Sequence, residues 1–471
     1  MITTKIKKEI IMIVGENNYE DSPASKLVYS FDATPQFQAM PDAVVSPRNK
    51  EEIAQIVKLC NSHQIPIVPR GSGTNLSAGT TPLEGGIVLL FKHLDQILEI
   101  DEENLTITVQ PGVNTLEMSQ AVEEIGLFYP PDPSSMKISQ IGGNINENSG
   151  GLRGLKYGVT RDYVLGLEIV LPNGSIIRTG GKLAKDVAGY DLTRLFVGSE
   201  GTLGIITEAT LKLIPKPETK KTVLALYQSM DAAAQSVSNI IANRVIPATL
   251  EFLDQPTLKV VEDFSKIGLP THVEAVLLIE QDGPIESVLK DIEKIVTICK
   301  EHGAIEVNMA QSAEEAEKLS TARRSALSAL ARLKPTTILE DATVPRSEIA
   351  NMVRAINEIA AKHNVEICTF GHAGDGNLHP TCMTDARDTE EIHRVELALQ
   401  EIFEKAVSLG GTITGEHGVG AMKAPYLHLK LGEEGIAAMQ GIKQAFDPNN
   451  IMNPSKIFPK STRKRIVVNQ P

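Results

Sequence analysis

The chain is poor in cysteine and has no long apolar run. Its four cysteines, Cys60, Cys299, Cys368 and Cys382, lie far apart and form no Cys-x-x-Cys pair. This spacing excludes a local iron–sulfur or zinc-ribbon motif and is typical of a reducing compartment. No apolar run approaches the roughly 18 residues that a membrane-spanning helix needs. The short apolar start of the chain contains Glu9 and precedes no small-residue cleavage site, so it predicts a helix rather than a signal peptide. We therefore expect a cytoplasmic protein.

The chain also has fewer basic than acidic residues. The chain has 46 Lys and Arg against 59 Asp and Glu, for a net charge of −13. This balance argues against a nucleic-acid partner and against electrostatic docking on an anionic membrane. The basic tail Lys460–Arg465 is the exception, and we interpret it as a solvated terminus. A chain of 471 residues is too long for one core, which predicts two or three domains.

Glycine, in contrast, is concentrated in three loops. The first is Pro69-Arg-Gly-Ser-Gly-Thr-Asn-Leu-Ser-Ala-Gly79, which follows the apolar strand Ile65–Val68. Such a loop presents backbone N–H groups to an anion, because glycine has no Cβ and tolerates positive φ. Arg70 adds a charge, so a diphosphate is the natural ligand. The spacing fits neither the Rossmann fingerprint nor the P-loop. An ordinary tight loop is the alternative, but residues 141–151 and 197–204 repeat the pattern, and turns alone do not require three such loops.

The order of elements predicts four segments. Residues 1–37 form a peripheral N-terminal helical segment, and residues 38–217 form a strand-rich unit that ends at Pro215-Lys-Pro217. Residues 218–425 alternate helices with strands, which is typical of an α+β domain. Residues 426–471 form a C-terminal helix and tail. Within the second segment, Asn49 and Glu52 have the spacing of a helix capping box, and Asn173-Gly174 is a strong hairpin signal.

Histidine and carboxylate residues cluster in two further Gly-rich loops. The first is Gly371-His-Ala-Gly-Asp-Gly-Asn-Leu-His379, and the second is Gly415-Glu-His-Gly418. Imidazole and carboxylate are the usual ligands of a catalytic divalent metal. His372, His379 and Glu416 would supply three ligands and leave a position open, and His417 would be placed to act as a base. The alternative is a polar turn whose histidines bond to the backbone.

Three other groups have two interpretations each. Arg323 lies on a predicted helix and is suited to clamping a substrate carboxylate, although the pattern by itself favours a solvated helix face. Asp375 and Asn377 either orient ligands or close the turn. The Pro-rich stretch 129–135, which contains Pro131 and Ser135, either brings hydroxyls to a phosphate or is a plain connection.

Together these motifs resemble the flavin-binding fold of the vanillyl-alcohol oxidase and p-cresol methylhydroxylase (PCMH) superfamily. Within it they resemble the 2-hydroxy-acid dehydrogenase branch, which holds the FAD-linked glycolate oxidase subunits, the D-lactate dehydrogenases and the D-2-hydroxyglutarate dehydrogenases. The similarity is greatest to the glycolate oxidase subunits. The resemblance extends from Val44 to Pro454, and the motifs that carry it are PRGSGTNLSAG, QIGGNINENSGGLRGLKYG, GSEGTLGIITEATLKL, FGHAGDGNLHP and GEHGVG. It implies an α+β fold: a two-part PCMH-type FAD-binding domain over 38–217, and an α+β cap domain over 218–425, with a C-terminal helical segment that returns to the flavin.

The resemblance also implies where FAD binds. Thr74 stands where some relatives tether the flavin through a histidine, so the cofactor should be non-covalent. Glu416 and Asn453 would lie toward the isoalloxazine, and Ile206 near the adenine. The full set implied for the cofactor is Pro69, Arg70, Gly71, Ser72, Gly73, Thr74, Asn75, Gly79, Pro131, Ser135, Gly142, Gly143, Asn148, Gly150, Gly151, Glu200, Gly204, Ile206 and Asn453.

For the chemistry, the resemblance implies FAD-dependent oxidation of a small 2-hydroxy acid, glycolate first and D-lactate second. His372, His379 and Glu416 match the ligands of a divalent metal, which we expect to be zinc, with manganese and iron left open. His417 matches the base that takes the hydroxyl proton while the C2 hydride passes to flavin N5, and Arg323 matches the carboxylate-binding residue.

Three other functions stay open at this point. The first is a D-2-hydroxyglutarate dehydrogenase, although this chain has Thr381 where those enzymes carry an asparagine. The second is a non-catalytic FAD-binding subunit of a redox complex. The third is a non-redox relative such as an alkyl-dihydroxyacetone-phosphate synthase. Because the sequence holds no second redox centre, we expect an iron–sulfur or other electron-acceptor partner subunit, through which the protein could associate with a membrane. A homodimer is left open.

Overall fold

The computed structural model describes residues 2–34 and 36–458, so the basic tail Lys460–Arg465 lies outside the described residues. The chain forms two compact units. The first unit combines Met1–Ser149, Val159–Lys216 and the stretch from Glu416 onward, and the second combines Gly150–Gly158 with Pro217–Gly415.

This division differs from the four predicted segments in three places. Residues 1–37 belong to the first unit instead of forming a peripheral segment, the chain re-enters the first unit at Glu416 instead of residue 426, and Gly150–Gly158 belongs to the second unit. The main boundary falls between Lys216 and Pro217, within the Pro-Lys-Pro stretch.

Two sheets and a short ribbon make up the strands of the first unit. One sheet has four strands in the order Tyr19–Glu20, Ala43–Val45, Ile87–Leu90 and Ile67–Arg70, of which the last three run parallel. The other has five antiparallel strands in the order Ile97–Asp101, Thr106–Val109, Ile205–Lys212, Val164–Val170 and Ile176–Gly180. Its Val164–Val170 and Ile176–Gly180 form the hairpin that Asn173-Gly174 predicts. The ribbon pairs Leu127–Phe128 with Ile214–Pro215.

The α-helices of the first unit are Thr4–Val14, Pro23–Val28, Lys50–His63, Thr115–Glu123, Ile141–Glu147, Leu192–Phe196 and Leu427–Phe446. Helix Lys50–His63 begins as predicted, because the Asn49 side chain accepts a hydrogen bond from the Glu52 amide at 2.9 Å. The Glu52 carboxylate does not complete a capping box, since it binds the Arg48 amide and guanidinium instead. The buried face of this helix packs into a core with residues of helix Thr4–Val14.

The second unit is built on one eight-stranded antiparallel sheet. Seven strands follow the order Ala304–Met309, Thr219–Tyr227, Ala275–Gly283, Thr249–Asp254, Glu366–His372, Asn377–Thr384 and Thr336–Leu339, and the short strand Ala342–Thr343 also pairs with Asn377–Thr384. Its α-helices are Gly154–Tyr157, Met230–Ala242, Gln255–Ser265, Ile285–Glu301, Ala313–Arg324, Ala326–Leu330, Ile349–His363 and Thr389–Ser408. Ile285–Glu301 and Ile349–His363 each bury one apolar stripe, which is the pattern of a helix that covers a sheet. Among the residues described, no helix has the length and apolar character needed to cross a bilayer.

Candidate active site

A cleft lies in the first unit at the Gly-rich loops. Nine of the residues implied for the cofactor line it: Pro69, Arg70, Gly71, Gly79, Gly142, Gly143, Glu200, Ile206 and Asn453. The loop 69–79 follows strand Ile67–Arg70, Gly142 and Gly143 open helix Ile141–Glu147, and Ile206 lies on strand Ile205–Lys212. Strand ends and a helix start therefore bring these distant parts of the sequence to one cleft.

Three glycines of the cleft are closely packed. A Cβ on Gly142 would lie 2.6 Å from the Pro111 Cβ, and a Cβ on Gly79 would lie 2.8 Å from a Glu147 carboxylate oxygen. Gly201, which also lines the cleft, has a φ of +69°, and a Cβ there would lie 2.6 Å from the Pro69 ring. Backbone is thus exposed along part of the cleft wall, as a cradle for an extended nucleotide cofactor requires.

The N-terminal segment holds the first Gly-rich loop in place. Buried Asp32 accepts hydrogen bonds from the Thr34 and Thr80 amides and from the hydroxyls of Thr80 and Thr81. The Ala33 amide donates to the Gly73 carbonyl at 2.9 Å. Although it appears peripheral in the sequence, this segment therefore shapes the cleft.

Arg70 is held by the same N-terminal segment. Its guanidinium donates to the Phe31 carbonyl at 2.6 Å and lies over the Tyr29 ring, 5.5 Å from the centroid. Burial lowers the pKa of Arg70, against the opposing effects of Asp32 and Tyr29. A guanidinium fixed at the wall of the cleft can neutralise a bound diphosphate.

Two carboxylic acids, buried Glu200 and partly buried Glu147, also line the cleft. Burial raises the pKa of Glu147 well above its ordinary value, and the charge of Glu200 raises it further. Burial raises the pKa of Glu200 as well, although hydrogen bonds from the Val419 and Gly420 amides, both at 2.7 Å, oppose that shift. Glu200 thereby anchors the GEHGVG stretch within the first unit.

The cleft contains polar atoms that suit a polar cofactor. Among the described residues, Glu147 Oε2 and Asn453 Oδ1 are buried side-chain oxygens without a hydrogen-bond partner, and both residues line the cleft. The Asn453 amide group is fixed by donating to the Gly79 and Glu200 carbonyls at 2.8 and 2.7 Å. Unpartnered polar atoms beside a backbone cradle fit FAD, whose hydroxyls and ring edge offer donors.

Ten predicted cofactor residues are not part of the cleft wall in the described chain: Ser72, Gly73, Thr74, Asn75, Pro131, Ser135, Asn148, Gly150, Gly151 and Gly204. Some have local roles instead. The Asn75 side-chain Oδ1 accepts from the Gly79 amide at 2.7 Å, Asn148 closes helix Ile141–Glu147 in the left-handed conformation, and a Cβ on Gly204 would lie 2.8 Å from Ile169. Gly150 and Gly151 lie in the second unit. Direct contact of these ten with FAD stays a prediction.

The cleft also contains residues that the sequence analysis missed: Thr80, Phe91, Pro111, Asn146, Glu147 and Gly201. Asn146 and Glu147 lie inside the quoted motif QIGGNINENSGG, so the signal was present there. Phe91 and Pro111 belong to no Gly-rich loop, and only the fold places them at the cleft.

In the second unit, the predicted histidine pair lies on a hairpin. His372 ends strand Glu366–His372, and His379 lies on strand Asn377–Thr384, whose register pairs it with Phe370. Both histidines are buried, their rings meet edge to face with centroids 5.1 Å apart, and a ring nitrogen of each lies within 4.8 Å of the other. The Gly-rich turn makes them converge, and the pair fits a divalent metal.

A buried carboxylate supports this pair. Glu251 Oε1 lies 2.7 Å from His372 Nδ1, and Glu251 Oε2 lies 2.5 Å from an Arg323 nitrogen. Burial would raise the pKa of Glu251, but Arg323, His372 and His379 together outweigh it and hold that pKa below its ordinary value. No motif marks Glu251, since it lies within an otherwise ordinary strand.

Arg323 does not lie on a solvated helix face. It is 4% exposed, pairs with Glu251 and lies over the Phe370 ring at 4.8 Å. Its role in binding a substrate carboxylate stays a prediction. Asn377 and Asp375 have structural roles in the turn, since Asn377 accepts from the Thr343 hydroxyl at 3.0 Å and Asp375 Oδ1 accepts from the Asn377 amide at 3.2 Å.

Glu416 and His417 begin the stretch that returns to the first unit. His417 Nε2 lies 3.9 Å from Glu416 Oε1, and both side chains are largely buried. The preceding Gly415 is the last residue of the second unit, where its amide donates to Asp341 at 2.8 Å. Their catalytic roles stay predictions.

Two family models match this chain. One describes the FAD binding domain and matches residues 41–180. The other describes the C-terminal domain of the FAD linked oxidases and matches residues 216–457. The chain belongs to the FAD-linked oxidases. The predicted family, two-part fold, FAD dependence and oxidoreductase class are thereby confirmed.

Individual proteins agree with this assignment. The chain is 73% identical over 467 residues to a protein of Bacillus subtilis named glycolate oxidase subunit GlcD, covering 99% of each chain. It is 38% identical to a D-lactate dehydrogenase of Anaerostipes hadrus, covering 89% of this chain and 90% of that one. The solved structure of p-cresol methylhydroxylase with substrate bound superposes with a TM-score of 0.79 at 18% identity, covering 97% of this chain and 98% of that one, and so supports the fold.

Proposed function

We propose that this chain oxidises small 2-hydroxy acids to 2-oxo acids, with glycolate as the first substrate and D-lactate as the second. The observation that carries the proposal is the buried pair His372 and His379 in a chain that also has an FAD cleft, because a cleft alone would serve many oxidations. The similarity to proteins named glycolate oxidase subunit and D-lactate dehydrogenase supports this substrate class.

The residues divide the work between binding and proton transfer. His372, His379 and Glu416 would hold a divalent metal, zinc first, and Arg323 would bind the substrate carboxylate. FAD, when bound, would supply the acceptor for the C2 hydride. The metal, when bound, would supply a Lewis acid that lowers the pKa of the substrate hydroxyl. His417 takes the hydroxyl proton on a ring nitrogen, so that loss of one proton and one hydride from the substrate leaves the 2-oxo acid.

We also propose that the electrons leave through a partner subunit. All four cysteines are buried and unpaired, at Cys60, Cys299, Cys368 and Cys382. Relatives of this chain are named as subunits of glycolate oxidase, which supports assembly with an electron-accepting protein. An iron–sulfur partner is the form we favour, with a cytoplasmic complex that can associate with a membrane through that partner.

Turnover with a soluble dye acceptor tests the proposal. Purified FAD-loaded protein is given glycolate, D-lactate, L-lactate or D-2-hydroxyglutarate, and dye reduction is followed. We expect glycolate to be oxidised fastest and D-lactate next, with L-lactate as the stereochemical control. A protein that retains FAD but oxidises none of these acids would be a binding subunit or act on another class. Fastest turnover of D-2-hydroxyglutarate would instead favour that dehydrogenase.

A further inference from the structure

Glu251 is a fully buried charge in the second unit with no role in the proposed chemistry. It lies in the middle of strand Thr249–Asp254, and its side chain has 0% exposure. Taking a carboxylate out of water costs several kcal/mol unless good partners compensate. Such a group is therefore expected to serve a purpose that an apolar residue could not.

The sheet sets the position of Glu251 relative to the metal histidine. Strands Thr249–Asp254 and Glu366–His372 are antiparallel neighbours, and their register places Glu251 directly opposite His372. The side chains meet at 2.7 Å between Glu251 Oε1 and His372 Nδ1. Rigid backbone pairing thus holds the carboxylate at one specific ring nitrogen.

The contact selects a tautomer. An ionised carboxylate can only accept a hydrogen bond, so His372 must carry its proton on Nδ1 and present its lone pair on Nε2. Metal-bound histidines commonly donate their second ring nitrogen to a carboxylate, which fixes the ring and raises its basicity.

We propose that Glu251 is a positioning residue that orients His372 for metal binding and ties that histidine to Arg323. The second carboxylate oxygen meets the Arg323 guanidinium at 2.5 Å, so one buried side chain bridges a predicted metal ligand and a predicted substrate-binding residue. This inference rests on the metal site of the proposed function.

A simpler role would be neutralisation of Arg323, which is itself buried. The two roles make different predictions for a double variant. If Glu251 only balances the guanidinium, E251Q/R323Q should restore metal binding that E251Q loses. If Glu251 orients His372, the double variant should bind metal as weakly as E251Q.

The test measures the affinity of the FAD-loaded protein for Zn²⁺ by competition with a chromophoric chelator, at neutral pH. We expect E251Q and E251Q/R323Q to bind Zn²⁺ about 10- to 100-fold more weakly than the wild type. Asp254→Asn is the matched control. Asp254 is buried on the same strand and accepts from the Thr257 and Thr369 amides at 2.9 and 2.7 Å, so its loss should lower the unfolding temperature without changing Zn²⁺ affinity.

Each other outcome counts against a specific claim. Wild-type Zn²⁺ affinity in E251Q would overturn the positioning role and leave the metal site intact. Recovery in the double variant would assign Glu251 to charge balance alone. An equal loss in D254N would show that general damage to the strand explains the effect. A wild-type protein that binds no divalent metal would overturn the metal site and, with it, this inference.

Discussion

The Gly-lined cleft of the first unit and the histidine site of the second unit are built in different ways. Glycine backbone forms part of the cleft wall, at Gly71, Gly79, Gly142, Gly143 and Gly201. Side chains dominate the histidine site, where Glu251 joins His372 to Arg323 inside an antiparallel sheet. A backbone cradle is damaged by added atoms, whereas a side-chain network is damaged by removed charge and hydrogen bonds. The two regions should therefore respond to opposite kinds of substitution.

Substitution of His417 has the largest expected effect. It should slow flavin reduction without changing how much FAD the first unit binds. If His417 is the base as we propose, His417→Ala should lower the rate of flavin reduction by glycolate by about 10²- to 10⁴-fold. The FAD content should stay at the wild-type level. Anaerobic stopped-flow absorbance measures the rate, and a rate equal to that of the wild type would refute the base assignment.

Substitution of Asp32 tests whether FAD affinity depends on a side chain that does not itself line the cleft. Asp32→Asn loses charge-assisted hydrogen bonds to Thr80 and Thr81, each worth about 1.5–3 kcal/mol. We expect FAD affinity to fall by roughly 10- to 100-fold, as measured by equilibrium titration of the apoprotein. Asp191→Asn, at an exposed helix cap of the same unit, should leave the affinity unchanged. Equal affinities in D32N and the wild type would show that the Gly-rich loop is stable by itself.

Two adjacent glycines of the cleft differ in how closely they are packed, so they separate the effect of packing from the effect on FAD binding. A Cβ on Gly142 collides with Pro111, whereas a Cβ on Gly143 meets nothing within 4 Å, and both residues line the cleft. Gly142→Ala should lower the free energy of unfolding by about 1–3 kcal/mol. Gly143→Ala should preserve stability and weaken only FAD binding. Thermal unfolding of both apoproteins checks this, and equal destabilisation would mean that helix packing is not specific to Gly142.

The smallest effect concerns Lys456, a buried cation of the first unit that donates to the Thr81 carbonyl at 2.7 Å. Burial lowers the pKa of Lys456 to about 8 from 10.5. The unfolded chain therefore binds more protons above this value, and stability rises with pH as the folded lysine loses its charge. Between about pH 7.5 and 8.5 the wild type should gain on the order of 1 kcal/mol relative to Lys456→Met. Parallel pH profiles in chemical denaturation would contradict this.

Local patterns in the sequence predicted much of the fold. The Asn49 cap, the Asn173-Gly174 hairpin and the glycine loops depend on neighbours within a few residues, where residue type restricts backbone geometry directly. The convergence of His372 and His379 also followed from a short Gly-rich turn. These features carry their physical cause in their own sequence.

Contacts between residues far apart in the sequence could not be predicted from local patterns. Asp32 binds Thr80 across 48 residues, and Glu251 binds His372 across 121 residues. Neither acid is marked by a motif, because what places it is strand order and register. The N-terminal segment appeared peripheral for the same reason, although its residues fix the cofactor loop.

Anaerobic bleaching of the bound flavin by glycolate, with and without prior chelation, tests the central claim most directly. It follows reduction of the cofactor by the substrate itself, without any electron-accepting partner. We expect glycolate to bleach the wild-type flavin rapidly, the chelated protein to stay yellow, and added Zn²⁺ to restore bleaching. A flavin that glycolate and D-lactate leave oxidised would contradict the proposed oxidation, and bleaching that chelation does not slow would contradict the metal site.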